Sequence, residues 1–352
     1  MSKHEKSKVR AYLTTRKVNP ENQESPIHFF DKTTYPHSCL FRRNHFPYPD
    51  YISASFVITG LVQKPLRFSL EQFQSMPSKR VKAVLECAGD KRNLFVPKVY
   101  GEQWEKGAIS QGCWSGVPLR DLLQYTGLLK GAKEVVFEAQ DYGKRKDIDQ
   151  TVPYARSLPL QKALHPDTLI AYEYNEKPIP FKNGFPFRLI VPQWYGMASV
   201  KWIKQITVID KQFEGPFQAI DYVYYPNKDE DTGKFPVTLM NVNSTIQQPL
   251  NMDILNTGNH MISGIAMTGQ GRIAKVEISI DKGKTWSPAK LEHNDEYAWV
   301  RWKYLWEVQE TGEYIILSRA TDTAGRTQPG TAFWNRKGYG YNAMDKIEVK
   351  IE

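Results

Sequence analysis

Cysteine is scarce in this chain. Cys39, Cys87 and Cys113 are the three among 352 residues. They form no Cys-x-x-Cys pair and no Cys-x-x-Cys-His haem attachment, and their scatter provides no disulfide framework. Also missing are a His-Glu-x-x-His zinc motif, a Gly-x-x-x-x-Gly-Lys phosphate loop and a Gly-x-Ser-x-Gly elbow, which removes three common hydrolase readings. No apolar run approaches the roughly 18 residues that a helical membrane span needs, so no membrane partner is expected. Residues 1–20 are basic and polar without the apolar segment of a signal peptide. Arg42-Arg43 is a twin-arginine pair with no apolar stretch behind it. The expectation is a cytoplasmic protein, unless a leader was removed before residue 1.

What is present describes a globular chain. Hydrophobic residues make up 41% and charged residues 24%, enough apolar mass for a core in each of two domains. The formal net charge is +9, which suits anionic ligands. Its Lys and Arg residues are dispersed and no nucleic-acid motif accompanies them, so no nucleic-acid partner is expected.

Composition divides the chain into three. Residues 1–37 are polar, and Pro20, Pro26 and Pro36 predict an arm without regular structure. Residues 38–225 read as a mixed α+β domain in which short strands alternate with short helices. Ser69 opens a brief helix with Leu70, Phe73 and Met76 on one side, and Pro118 is placed as the first residue of another that Gly127 stops. Phe213 to Pro236, rich in Pro, Gly, Tyr and acidic residues, crosses between domains. In residues 226–352 helical signals fade beyond about residue 237. Lys275 to Asp281 alternates cleanly, Asp281-Lys282-Gly283-Lys284 is a hairpin turn, and further strands follow near 297–308, 313–320 and 346–351. That spacing predicts an immunoglobulin-type β-sandwich.

One cysteine stands out. Val81, Ala83 and Leu85 alternate with Lys82 and Glu86, reading as a half-buried strand that delivers Cys87 into Ala88-Gly89-Asp90-Lys91-Arg92. Lys91 and Arg92 would lower a nearby thiol's pKa, and the thiolate is the metal-ligating form. A free cysteine is also commonly a small buried hydrophobe, and Cys39 and Cys113 are read so.

Other segments keep company with this one. They are Phe41-Arg42-Arg43-Asn44-His45-Phe46-Pro47, Cys113 to Leu123 around Trp114-Ser115-Gly116, Tyr154-Ala155-Arg156, Ala171-Tyr172-Glu173-Tyr174-Asn175, Asn183-Gly184-Phe185-Pro186-Phe187-Arg188 and Tyr195-Gly196-Met197-Ala198-Ser199-Val200-Lys201-Trp202. In order and spacing they resemble the catalytic domain of the sulfite oxidase family of molybdopterin enzymes, over about residues 38–225, with a weaker echo of that family's second domain beyond.

The resemblance implies a sulfite-oxidase-type molybdopterin domain, a dimerising immunoglobulin-like sandwich and a homodimer. It implies molybdenum on a molybdopterin cofactor with Cys87 as thiolate ligand, a sulfur donor suited to a metal that changes oxidation state. Asn44, His45, Asn183, Arg188, Ser199 and Lys201 fall at cofactor-contacting positions. Asn183 stands where the family commonly has histidine, which keeps a hydrogen-bonding amide but no charge. Arg43 and Arg92 match substrate-oxyanion positions, where a planar charged fork is favoured. Tyr222 matches a tyrosine that hydrogen-bonds the reacting oxygens. Lys337, in Trp334-Asn335-Arg336-Lys337-Gly338, stands where the family places a third arginine.

The implied reaction is oxidation of sulfite to sulfate by oxo transfer, with electrons passing to a separate acceptor such as a cytochrome, since the sequence carries no haem-binding segment. Lys337 and Asn183 keep open a molybdenum reductase of nitrate or a sulfoxide. A non-enzymatic binding protein is the reading from another class. Cys87, Arg92, Arg188 and Lys201 together speak against it.

Overall fold

The computed structural model describes residues 12–27, 35–292 and 295–352. The parts of the expected N-terminal arm at 1–11 and 28–34 lie outside the described residues. Within 12–27 the expectation of irregular chain fails. Strands β1 (Thr14–Lys17) and β2 (Asn22–Glu24) pair antiparallel. Pro20 sits in the connecting turn, where its missing N–H takes nothing from the ladder. Asn22, Glu24 and Ser25 are buried. Gln23 bridges to Arg42 with paired backbone bonds of 2.9 and 2.8 Å, so the hairpin is built into the body.

The chain up to about residue 225 is mostly strand, with helices reduced to a few turns. One five-stranded sheet runs in the order β4 (Leu66–Ser69), β3 (Ser55–Gly60), β12 (Ile203–Ile209), β7 (Glu134–Arg145), β8 (Gln150–Pro159). Within it β12 pairs parallel to β3 and antiparallel to β7. A second sheet contains β5 (Lys79–Glu86), β6 (Ile109–Pro118), β9 (Leu169–Tyr174) and β10 (Lys177–Pro178), with β11 (Arg188–Ile190) also on β9.

Helix α1 (Leu70–Gln74) starts at Ser69 as expected. The Ser69 side chain accepts from the Gln72 backbone N–H, and the Gln72 side chain accepts from the Ser69 N–H in return, a reciprocal cap that satisfies two otherwise orphaned donors. Phe73 is fully buried against Phe56 and Phe187 at 5.5 and 5.4 Å between rings. A ring so covered stabilises the fold by about 2–3 kcal/mol. Helix α2 (Leu119–Thr126) begins one residue later than expected, because Pro118 has extended ψ and closes β6. Gly127 ends it at φ 72°. A last short helix, α3 (Leu160–Ala163), follows β8.

A two-stranded ribbon, β13 (Val223–Tyr224) with β14 (Phe235–Pro236), leads into the second half. There one sheet orders β15 (Asn243–Gln248), β17 (Gly258–Met267), β21 (Val300–Val308) and β20 (Lys290–Glu292). The other orders β16 (Ile254–Leu255), β23 (Asp345–Ile351), β22 (Gly312–Asp322), β18 (Ile273–Ser279) and β19 (Ser287–Pro288). The alternation in 275–281 appears as β18, and the expected turn at 281–284 joins β18 to β19, with φ of 65° at Lys282 and 87° at Gly283. The two sheets share one core, in which Ile262 and Trp302 from one meet Val276, Ile316 and Ala320 from the other. Among the described residues no helix is long and apolar enough to cross a membrane.

The two halves meet along the segment that follows Cys87. Phe95 and Val99 cluster with Ala332 and Ala343, and the Trp334 indole donates to the Pro97 carbonyl at 3.1 Å.

Candidate active site

Five separate pieces of chain converge on one cleft. β5 ends by delivering Cys87, which is 7% exposed. The segment following the β1–β2 hairpin brings Arg43, Asn44 and His45. β11 opens with Arg188. The turn around Gly196–Ala198 supplies Ser199, and Lys201 stands just before β12. The π-helical turn Phe217–Asp221 presents Tyr222. Cys87, Arg43, Asn44, His45, Asn183, Arg188, Ser199, Lys201 and Tyr222 line the cleft, together with Arg42, Asp141 and Tyr154.

Electrostatically the walls are lopsided. Arg188 is buried, donates to the Asn183 carbonyl at 2.7 Å and lies 5.3 Å from the Trp114 ring, while its Nε has no hydrogen-bond partner. Burial pushes it down to about 10. Lys201 donates to the Arg43 carbonyl at 3.1 Å and to the Asn44 side-chain oxygen. Burial drives it down to about 7, Asp141 opposes that, and the Arg188 and Arg43 charges reinforce it. Asp141 is in turn raised by burial against the pull of Lys201. His45 is held well below the usual histidine range by burial and then by Arg43, Arg145, Lys201 and Arg92. Its neutral ring pairs with the Tyr222 hydroxyl at 2.8 Å, lies near the Arg43 guanidinium at 3.3 Å, and stacks on Tyr154 with centroids 5.4 Å apart.

The second sphere comes partly from the N-terminal hairpin. Asn22 accepts from the Asn44 backbone N–H at 2.7 Å, and the Asn44 amide donates to the Glu21 carbonyl at 2.6 Å. This leaves the Asn44 side-chain oxygen facing Lys201.

The thiol departs from expectation. Lys91 turns away, donating to the Asn243 side-chain oxygen at 2.7 Å and the Ser244 carbonyl. Burial raises the Cys87 pKa; Arg43 and Arg92 oppose that rise, as does the Gly89 N–H that the sulfur accepts at 3.4 Å. The protein alone therefore holds a thiol there, and a cationic partner must supply the remaining pull toward thiolate.

Two of the expected site residues stand outside the cleft. Arg92 is spent on the Lys337, Gly338 and Glu102 carbonyls at 3.0–3.2 Å, with its guanidinium 5.1 Å from the Tyr339 ring. Lys337 reaches Asp221 at 3.7 Å and remains half-exposed. Sequence reasoning missed Asp141, Arg145 and the burial of Arg156. Asp141 reaches the cleft because the β7–β8 register breaks between Glu138 and Tyr142, a bulge that re-aims a side chain without leaving a motif. Arg145 grips Asp221 through two bonds of 2.6 and 3.2 Å. Arg156 lies 5.3 Å from the Tyr222 ring and donates to the Phe217 carbonyl.

Two family models match the chain. The oxidoreductase molybdopterin binding domain covers residues 45–217, and the Mo-co oxidoreductase dimerisation domain covers residues 234–352. Sulfite oxidase of Arabidopsis thaliana is 34% identical over 90% of this chain and 88% of that protein. The chain belongs to the sulfite oxidase family of molybdopterin-dependent oxidoreductases. Mitochondrial sulfite oxidase of Mus musculus is 32% identical, and the chain spans 66% of that relative's length. NADH nitrate reductase of Ulva prolifera is 31% identical over 95% of this chain and 42% of its own. The sulfane dehydrogenase SoxCD of Paracoccus pantotrophus superposes with a TM-score of 0.83 at 26% identity, covering 98% of this chain and 89% of that one.

A family enzyme needs a place for the molybdenum–molybdopterin cofactor, and these residues fit it. Among the described residues no cluster of three His, Cys, Asp or Glu side chains could hold a metal unaided, so a metal at Cys87 must bring further ligands with it. The cleft's buried cations outnumber its one carboxylate, Asp141, and Arg188 keeps an unpartnered donor. Buried charge left so exposed to its own repulsion is stabilised by an anionic occupant such as a pterin phosphate.

The Lys201 shift has a consequence for the cofactor-free protein. Between pH 7 and 10.5 the unfolded chain binds a proton at this lysine that the folded chain has released, so stability rises with pH across that window. Melting temperature is expected to rise between pH 7 and pH 9, and the rise should shrink in Lys201→Met. An equal rise in the variant would place the shift elsewhere.

Proposed function

We propose that this chain oxidises sulfite to sulfate and passes the electrons to a separate acceptor such as a cytochrome. The observation that carries the reading is a lone cysteine thiol at the end of a cationic cleft, facing a hydrogen-bonded Arg43–His45–Tyr222 group. Cys87 is the metal ligand in this reading, and Asn44, His45, Asn183, Arg188, Ser199 and Lys201 hold the pterin and its phosphate. When bound, the cofactor supplies oxo transfer and storage of two electrons.

The remaining steps are the protein's own. Arg43, half-buried beside the thiol, draws the dianion in and fixes an oxygen through its fork. The Tyr222 hydroxyl, held by neutral His45, is placed to donate to a second oxygen. Burial and the surrounding cations keep His45 neutral; with Nδ1 facing the Arg43 guanidinium, its Nε2–H donates to the Tyr222 oxygen and leaves the phenol O–H free for substrate. Lys337 and Arg145 both lie against Asp221, and Arg145 also pairs with Asp147, so they hold the turn before Tyr222 without lining the cleft. The dimerisation model over 234–352 supports a homodimer, with the second core assigned to the immunoglobulin type and the domain junction drawn near residue 225.

Reduction of nitrate or a sulfoxide is the second reading. The nitrate reductase relative favours it, as does a lysine where the family has arginine. Molybdenum analysis of the purified protein, with sulfite-dependent ferricyanide reduction beside nitrate or methionine sulfoxide reduction by a reduced dye, separates the two. Stoichiometric molybdenum with sulfite turnover at least about a hundredfold above either reduction in kcat/KM supports the first. The reverse ordering overturns it.

A further inference from the structure

Tyr339 is an unassigned side chain packed directly against Tyr222. It comes from the second half of the chain, 117 residues in sequence beyond Tyr222, yet packs into the core of the first half at 8% exposure. Its ring stacks on Tyr222 with centroids 5.3 Å apart and planes at 26°. The same ring takes the Arg92 guanidinium at 5.1 Å. Tyr222 meanwhile carries Arg156 at 5.3 Å and bonds His45 through its hydroxyl. One ring therefore joins the phenol of the cleft to the cation behind the thiol.

The loop around Tyr339 is built to hold it. Asn335 is fully buried and clamps the residue from both sides: its Oδ1 accepts from the Tyr339 N–H at 3.0 Å and its Nδ2 donates to the Tyr339 carbonyl at 2.8 Å. Gly338 and Gly340 flank it at φ 61° and 67°. A Cβ on Gly338 would collide with the Val99 side chain, and one on Gly340 with the Tyr224 hydroxyl. The Gly340 N–H donates to the Ala88 carbonyl at 2.7 Å, one residue beyond Cys87. The Lys337 and Gly338 carbonyls take Arg92. The turn is thus tied to the cysteine segment, to Asn335 and, through the Gly340 carbonyl, to the Asn241 amide at 2.8 Å.

We propose that Tyr339 is a positioning residue for the substrate oxyanion, contributed by the second domain: its ring, held by the Asn335 clamp, stacks on Tyr222 and so sets where that hydroxyl stands beside His45 and Arg43 in the cleft. The stacking ring, not the hydroxyl, performs this role. An aromatic stack contributes geometry as well as burial, and donors displaced by a fraction of an ångström bind an anion more weakly.

The inference rests on the reading of the cleft as an oxyanion site. The test uses molybdenum-loaded Tyr339→Phe, Tyr339→Leu and Tyr339→Met, the last keeping apolar bulk should the leucine variant fold poorly. Tyr339→Leu or Tyr339→Met is expected to lower kcat/KM for sulfite about tenfold, mostly through KM, at molybdenum content equal to wild type, while Tyr339→Phe stays within about twofold. Inorganic sulfate supplies the independent arm. Its protection of the oxidised holoenzyme against thermal unfolding should need about tenfold more anion in the ring-less variants. If wild type ignores sulfite but the sulfate arm behaves so, the positioning role stands and the sulfite reading falls. Unchanged KM and unchanged sulfate protection at full molybdenum content would overturn the inference, and so would a Tyr339→Phe variant as damaged as Tyr339→Leu.

Discussion

Serine in place of Cys87 is expected to lower sulfite turnover by more than about a thousandfold while leaving the fold intact. The sulfur is the one thiol that lines the cleft among the described residues, and a hydroxyl cannot replace a polarizable thiolate on a metal that changes oxidation state. The substitution is nearly isosteric. The Cys87 N–H bond to the Ala108 carbonyl at 2.8 Å is a backbone contact and survives, so the melting temperature of the cofactor-free protein should move by no more than a few degrees. Molybdenum content, turnover and melting temperature measured together separate a lost ligand from a lost fold. A Cys87→Ser enzyme with turnover within tenfold of wild type would refute the assignment of the sulfur.

Arg188→Met is expected to move stability and function in opposite directions. Among the described residues the buried side chain donates to one carbonyl, leaves its Nε unpartnered and forms no ion pair with a carboxylate. Its charge is a liability in the empty protein, and burial pushes its pKa down for that reason. Methionine of similar reach removes the uncompensated charge and keeps the contact with Trp114. The cofactor-free variant should be more stable by about 1–3 kcal/mol. The same change removes a charged group that lines the cleft, and molybdenum retained on purification should fall by about ten- to a hundredfold. A variant destabilised in the cofactor-free state would show that Arg188 holds the cleft together. A variant that retains full cofactor would remove it from the binding set. Site residues that cost stability are familiar where function demands charge in a dry place.

The sequence carried much of the architecture. Alternation over 275–281, strands at even spacing beyond residue 237 and the Ser69 cap all reappear in the structure, because each depends on neighbours within a few residues. The family resemblance rested on local segments, and most of the side chains it singled out do line one cleft. The failures share a cause. Pro20 was read as a breaker when it occupies a hairpin turn, and Glu86 as a solvent-facing strand residue when it is 2% exposed. Alternation cannot reveal that a strand is covered on both faces. Asp141 entered through a bulge, which shifts one residue without altering composition.

Arg92 and Lys337 are the sharper case. Counting from Cys87 placed Arg92 within reach of the metal, but reach does not fix direction. Three carbonyls, two of them from the second domain, draw its guanidinium away from the cleft. Lys91, also counted as pulling on the thiol, is claimed by Asn243.

By itself the sequence determined the oxidoreductase family, the lone sulfur and the cationic character of its surroundings, since those depend on which residues are present and in what order. The tertiary structure alone decided which cations face the cleft, that the thiol is buried with a raised pKa, and that Tyr339 from the far half of the chain stacks on Tyr222. Those outcomes depend on distances between segments far apart in sequence and on desolvation, and neither is encoded in any local pattern.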